Sequence, residues 1–166
     1  MKIQILDKTK KKRFIEDSGS GIKKVPELLI RSGLERIRAY SGDMTADEIM
    51  DLWKLLPIEA VGLYVGKEMI NKHGVRETRL SIDALHLWQD QIKNNILTLT
   101  ESQEEDWFKG KNIELKENQK IYEDKTFIAV KSHDEKDFIG TGKIGENKST
   151  LFNFLPKERR RKSMVI

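Results

Sequence analysis

The chain has 166 residues, 37% of them apolar and 35% charged, with a net charge of +4 and no cysteine. That length suits one ordinary domain or two small ones, each with a thin core. No apolar run nears the roughly 20 residues that cross a bilayer, and disulfides, thiolate metal sites and a cysteine nucleophile are excluded outright.

The start, "MKIQILDKTKKKRF", lacks the charged-then-apolar order of a signal peptide, which makes a cytoplasmic location the expectation. Positive charge gathers towards the two ends. Residues 8–13 ("KTKKKR") carry five basic groups, and residues 157–162 ("KERRRK") carry five with one acid. With both set aside, the remainder is net acidic. Such an uneven distribution fits a phosphate-binding footprint, a reading favoured over the blander one of solvated lysine-rich tails.

In chain order, residues 1–20 read as a basic, flexible start that runs into the Ser-Gly-Ser-Gly of Ser18 to Gly21. Pro26 suits a first helical turn, so "PELLIRSG" is predicted as a short helix ending at Gly33. "ERIRAYS" alternates Ile37 and Ala39 with Arg36, Arg38 and Tyr40, which predicts a strand with one basic face. Thr45 and Glu48 form a capping box that opens a helix over "TADEIMDLWKLLP", stopped by Pro57. Its Ile49, Met50, Leu52, Trp53 and Leu56 share one face and are expected in the core. "AVGLYVGK" and "TRLSI" read as strands either side of a hairpin loop in "KEMINKHGVRE", and "DALHLWQDQ" as a short helix with Leu85 and Trp88 inward.

Beyond residue 92 the texture changes. "NILTLT" alternates as a strand, and a second capping box at Ser102 and Glu105 opens "SQEEDWFKG", which Gly110 can end in the left-handed conformation. Short strands follow in "NIEL", "TFIAVKS", "DFIGTGKIG" and "TLFNFL", the pattern of a small barrel. The expected fold class is therefore α+β, with an α+β domain over 1–92 and a β-barrel over 93–166.

Gly140, Gly142 and Gly145 have the G-x-G-x-x-G spacing of a dinucleotide site. That reading requires a helix to open within the motif and an acidic residue about 20 positions later. "NKSTLFNFLPKE" has no helical spacing, Pro156 interrupts it, and the acidic position falls at the chain end. A phosphate loop needs glycine directly before its lysine, and Asn147 precedes Lys148. The glycines are better explained by a strand that bends or packs closely. His73, His86 and His133 are far apart with no i,i+4 pair, so no zinc site is expected. The Asp83–His86 pair reads as an ordinary helix surface. No catalytic set and no cofactor are expected.

"WFKGKNIEL" and the later Gly140-Thr141-Gly142-Lys143 resemble the opening and a late strand of the PUA domain, an RNA-binding fold. "EAVGLYVGK" and "RLSIDALHLW" are similar to the pre-PUA region that precedes it in two related groups. One is the small ribosome-biogenesis factor family of eukaryotes and archaea. The other is the C-terminal module of Sun/Fmu RNA 5-methylcytosine methyltransferases, whose cysteine nucleophile and S-adenosylmethionine domain this chain lacks. The likeness covers about residues 34–155. It implies a pre-PUA domain followed by a PUA-like barrel, and a non-catalytic protein binding structured RNA, a ribosomal precursor or tRNA. By the same likeness the RNA surface falls on Lys109, Gly110, Lys111, Gly142 and Lys143. Lys148, Arg159, Arg160 and Arg161 join it on charge alone. Expected partners beside RNA are ribosome assembly proteins or an RNA methyltransferase, and no membrane. A protein–protein adaptor is the alternative.

Overall fold

A computed structural model describes residues 2–56, 58–121 and 127–162. Two five-stranded sheets organise them in a mixed α+β architecture. The first is an antiparallel meander of β1 (Ile3–Ile5), β2 (Leu28–Ser32), β3 (Arg36–Tyr40), β4 (Leu63–Ile70) and β5 (Arg76–Leu80). Helix α1 (Lys8–Ser18) joins β1 to β2, α2 (Ala46–Leu55) joins β3 to β4, and α3 (Ile82–Leu87) follows β5. Phe14 of α1 and Leu85 of α3 pack with Leu29, Ile37 and Val65 on one face. Ile49 of α2 meets Ile3 and Ile30 on the other.

Covering both faces explains the clearest departure from the sequence expectation. "PELLIRSG" is not a helix; its Leu28–Ser32 is strand β2, paired with β1 and β3. Leu29 and Ile30 are buried in different cores on opposite faces, so the strand is apolar without alternation. A short apolar run of that kind cannot be told from a helix by periodicity. The basic start is likewise an ordered helix. Asp7 caps it by accepting from Lys10 N at 2.8 Å, Gly19 ends it at φ +62°, and fully buried Phe14 anchors it. With so few apolar residues it shows little amphipathic signal.

The capping box at Thr45 and Glu48 forms as expected, with Glu48 Oε2 accepting from Thr45 N at 2.7 Å. The apolar stripe of α2 is only half covered. Ile49 is buried, Met50, Leu52 and Trp53 are half-buried, and Leu56 stands 55% exposed at the C-cap. Pro57 lies outside the described residues. In α3, Leu85 and Trp88 point inward as expected.

The second sheet takes β6 (Ile96–Thr98), β7 (Ile113–Glu114), β8 (Phe127–Lys131), β9 (Phe138–Ile144) and β10 (Thr150–Asn153) in the order β6-β8-β9-β10-β7. β6 runs parallel to β8 and the remaining pairs are antiparallel. Among the described residues the end strands β6 and β7 do not pair, so the sheet is a curled half-barrel rather than a closed barrel. Helix α4 (Glu101–Phe108) crosses between β6 and β7 and buries Trp107 completely. Its cap lies two residues before the expected one, at Thr100 with Gln103. Two Ser/Thr-x-x-Glu/Gln frames overlap there. Gln103 decides between them, because its Nε2 also donates to Glu114 O at 3.0 Å and Gln119 Oε1 at 2.9 Å.

The sheets are joined through β8 and β9. Thr141 Oγ1 donates to Leu80 O at 2.8 Å, His86 Nε2 lies 2.8 Å from Phe138 O, and Ala129 and Phe138 pack into the core of the first sheet.

Candidate nucleic-acid interface

The end of α4 gathers most of the basic residues expected to bind RNA. Gly110 leaves the helix at φ +81°, a conformation other residues adopt at a cost. A side chain there would also strike Arg160, whose Cδ is 2.7 Å from the position a Cβ would take. The close approach is possible because residues 155–161 fold back along the helix end. Arg161 N donates to Phe108 O at 2.7 Å, its guanidinium lies 4.9 Å from the Phe108 ring centre, and Arg160 Nε donates to Leu155 O at 3.0 Å. Asn153 Nδ2 takes the carbonyls of Trp107 and Lys111 at 2.8 and 2.9 Å. Phe108 O and Trp107 O, at the end of the helix where carbonyls have few intrahelical partners, thus hold the tail in place.

Lys109, Lys111, Arg160 and Arg161 consequently share one site at the negative end of the α4 dipole, where cations are favoured. Two acids accompany them: Lys111 Nζ is 2.7 Å from Asp106 Oδ1, and Lys109 Nζ is 3.9 Å from Glu105 Oε2. The hydrogen bond from Lys111 holds the Asp106 carboxyl below the usual carboxylate range. These pairs are exposed, hence worth little individually, so a phosphate can displace them at small cost.

The other predicted residues do not join that cluster. Gly142 is buried in the middle of the sheet, paired with Ile128 of β8 and Asn153 of β10. A Cβ at Gly142 would lie 2.5 Å from Leu151 Cδ1; the glycine makes room for a core leucine rather than offering backbone to a ligand. Replacing Gly142 with valine should cost about 1–3 kcal/mol of stability by overpacking against fully buried Leu151. Urea unfolding measures this, and an unchanged midpoint would return Gly142 to the list of exposed candidates. Gly140 has the same kind of role, facing Trp107 Cζ2 at 3.0 Å. Arg159 turns towards α3 and pairs with Asp83 at 2.8 Å.

Lys143 and Lys148 belong to a second basic surface, on the β9–β10 hairpin. Lys143 Nζ is 3.6 Å from Glu77 Oε2 and 5.2 Å from the Phe127 ring centre. Phe127 meets Phe154 edge-on at 5.9 Å, and Arg79 lies over Phe154 at 4.8 Å. Phe152, opposite Lys143 in the register, is 44% exposed, and Phe154 is 38% exposed. Lys148 sits in the hairpin turn at φ +55°. Arg79, Phe152 and Phe154 were not singled out from the sequence. In "TLFNFL" the two phenylalanines fall on alternate positions, out of phase with buried Leu151 and Leu155, and that offset was the available signal.

His133 pairs with Glu104 at 2.7 Å, and this hydrogen bond raises its pKa. Among the described residues no three histidine or acidic side chains converge to hold a metal, and no helix is long and apolar enough to cross a membrane. Compared with known proteins, the chain matches no family model, and no curated protein matches it in sequence.

Proposed function

We propose that the chain is a non-catalytic RNA-binding protein of the pre-PUA and PUA type, acting in the cytoplasm on structured ribosomal or transfer RNA during ribosome biogenesis or RNA modification. The observation that carries the reading is the convergence of Lys109, Lys111, Arg160 and Arg161 at the end of α4, from segments about fifty residues apart in sequence. Phosphate neutralisation by such groups releases counterions, so affinity falls linearly on a log–log plot against salt, by about 0.7–0.9 per contact. Replacing the four residues with glutamine should reduce that slope by about 3 and weaken binding alike across RNA sequences. The measurement is a salt titration of binding to a tRNA transcript, with thermal unfolding to confirm that the variant folds. A variant with the wild-type slope would remove this cluster from the interface.

A second reading, a protein–protein adaptor that docks an RNA-modifying enzyme or assembly factor, draws on α2. Leu55 and Leu56 are 78% and 55% exposed at its end. A partner retained through nuclease treatment and high salt would favour it.

A further inference from the structure

The β9–β10 hairpin carries a surface of a different chemistry from the α4 cluster. Between its turn and the Asn71–Val75 loop lies an open groove of about 950 Å³, with Met69, Ile144 and Phe152 supplying its apolar wall. That volume is of the size that takes small ligands. Lys143 and Lys148 line one side, and Lys72 on the opposite loop pairs with Glu146 across the mouth. Outside the groove the aromatic surface continues through Phe154, with Arg79 over its ring.

Three lysines line the groove with two glutamates, Glu77 and Glu146, and an exposed aromatic ring beside such cations is what single-stranded nucleic acid uses: bases stack on the ring while cations follow the backbone. One side of the Phe152 ring packs over Gly145, 3.1 Å from where a Cβ would stand, and the rest of it stays open to the groove. Its strand neighbour Leu151 is fully buried, whereas Phe152 points the other way and is nearly half exposed. We propose that Phe152 and this groove take an unpaired base of the bound RNA, with Lys143 and Lys148 meeting the adjoining phosphates. The inference rests on the RNA-binding reading above and adds a strand class to it: single-stranded loops or ends, recognised separately from the helical region that the α4 cluster would hold.

The test compares two probes, an RNA hairpin with a 3′ tail of about eight adenylates and the same hairpin with a blunt end. Binding is followed by fluorescence polarisation with the full chain. Phe152→Ala should weaken binding of the tailed RNA about 5- to 100-fold, leave the blunt hairpin unchanged, and leave the salt slope unchanged. Phe152→Trp should retain tailed-RNA affinity, and its added indole should be quenched on binding. If wild type binds both probes with steep salt dependence and Phe152→Ala does the same, the stacking inference falls and the RNA reading stands. Equal weakening for both probes also overturns it. If wild type binds neither probe at low salt, the RNA reading itself falls.

Discussion

Replacing Trp107 with alanine should lower the unfolding free energy by about 3–5 kcal/mol, the largest single effect expected in the second sheet. Trp107 is fully buried, and its ring is the central contact between α4 and β9. Its indole N–H also donates to Ile139 O at 3.1 Å. That carbonyl is available because the β8–β9 register shifts: Val130 pairs with Gly140 and Lys131 with Phe138, so Ile139 has no partner across β8. The alanine variant therefore loses packing and leaves a buried carbonyl unpaired. Trp107→Phe separates the two losses. It keeps much of the volume and should cost about 1–3 kcal/mol, the price of the unsatisfied acceptor. Urea unfolding of both variants should show a lowered midpoint with an unchanged slope. A wild-type midpoint for Trp107→Ala would mean that α4 is not fixed to the sheet through this residue. The α4 cluster would then lose its support as well.

Glu68→Ala should be comparably damaging in the first sheet. Glu68 is 5% exposed and pairs with Arg31, which is itself largely buried. Burial lowers the Arg31 pKa, and the nearby positive charges of Arg13 and Arg76 lower it further. With the carboxylate gone, a buried guanidinium would face two other cations without compensation, at about 3–5 kcal/mol. The double variant Arg31→Met/Glu68→Leu removes both charges and should recover most of that loss, since apolar residues of similar size often replace a buried pair at no cost. If the double variant is as unstable as Glu68→Ala, the penalty comes from packing and not from the unpaired charge.

Elements whose signals are local were legible in the sequence. The Thr45 capping box, the alternation of Arg36–Tyr40, and Gly110 as a helix stop depend on residues a few positions apart, and each is found as expected. What could not be read depends on partners distant in sequence. Leu28–Ser32 looks helical until the sheet buries it on both faces. Helix α1 is set by a cap at each end and one buried phenylalanine, too little for a periodic signal. The small barrel expected over 93–166 is a curled half-barrel among the described residues, because short strands alone do not say whether the end strands meet.

The candidate site divides in the same way. Lys109, Gly110 and Lys111 are adjacent, so their grouping was visible. Their meeting with Arg160 and Arg161 was not, since it depends on the tail folding over the α4 carbonyls. Gly142 was assigned to the surface from a short motif, while the strand places it beneath Leu151. The G-x-G-x-x-G spacing thus has a packing explanation at Gly140 and Gly142.

The central claim is that Lys109, Lys111, Arg160 and Arg161 form a phosphate-binding surface for RNA. It is tested most directly by measuring the affinity of the intact chain for tRNA across a salt series, beside the four-glutamine variant. The account predicts a steep log–log slope for wild type and one shallower by about 3 for the variant. A wild-type affinity that is absent at low salt, or insensitive to salt, would contradict it.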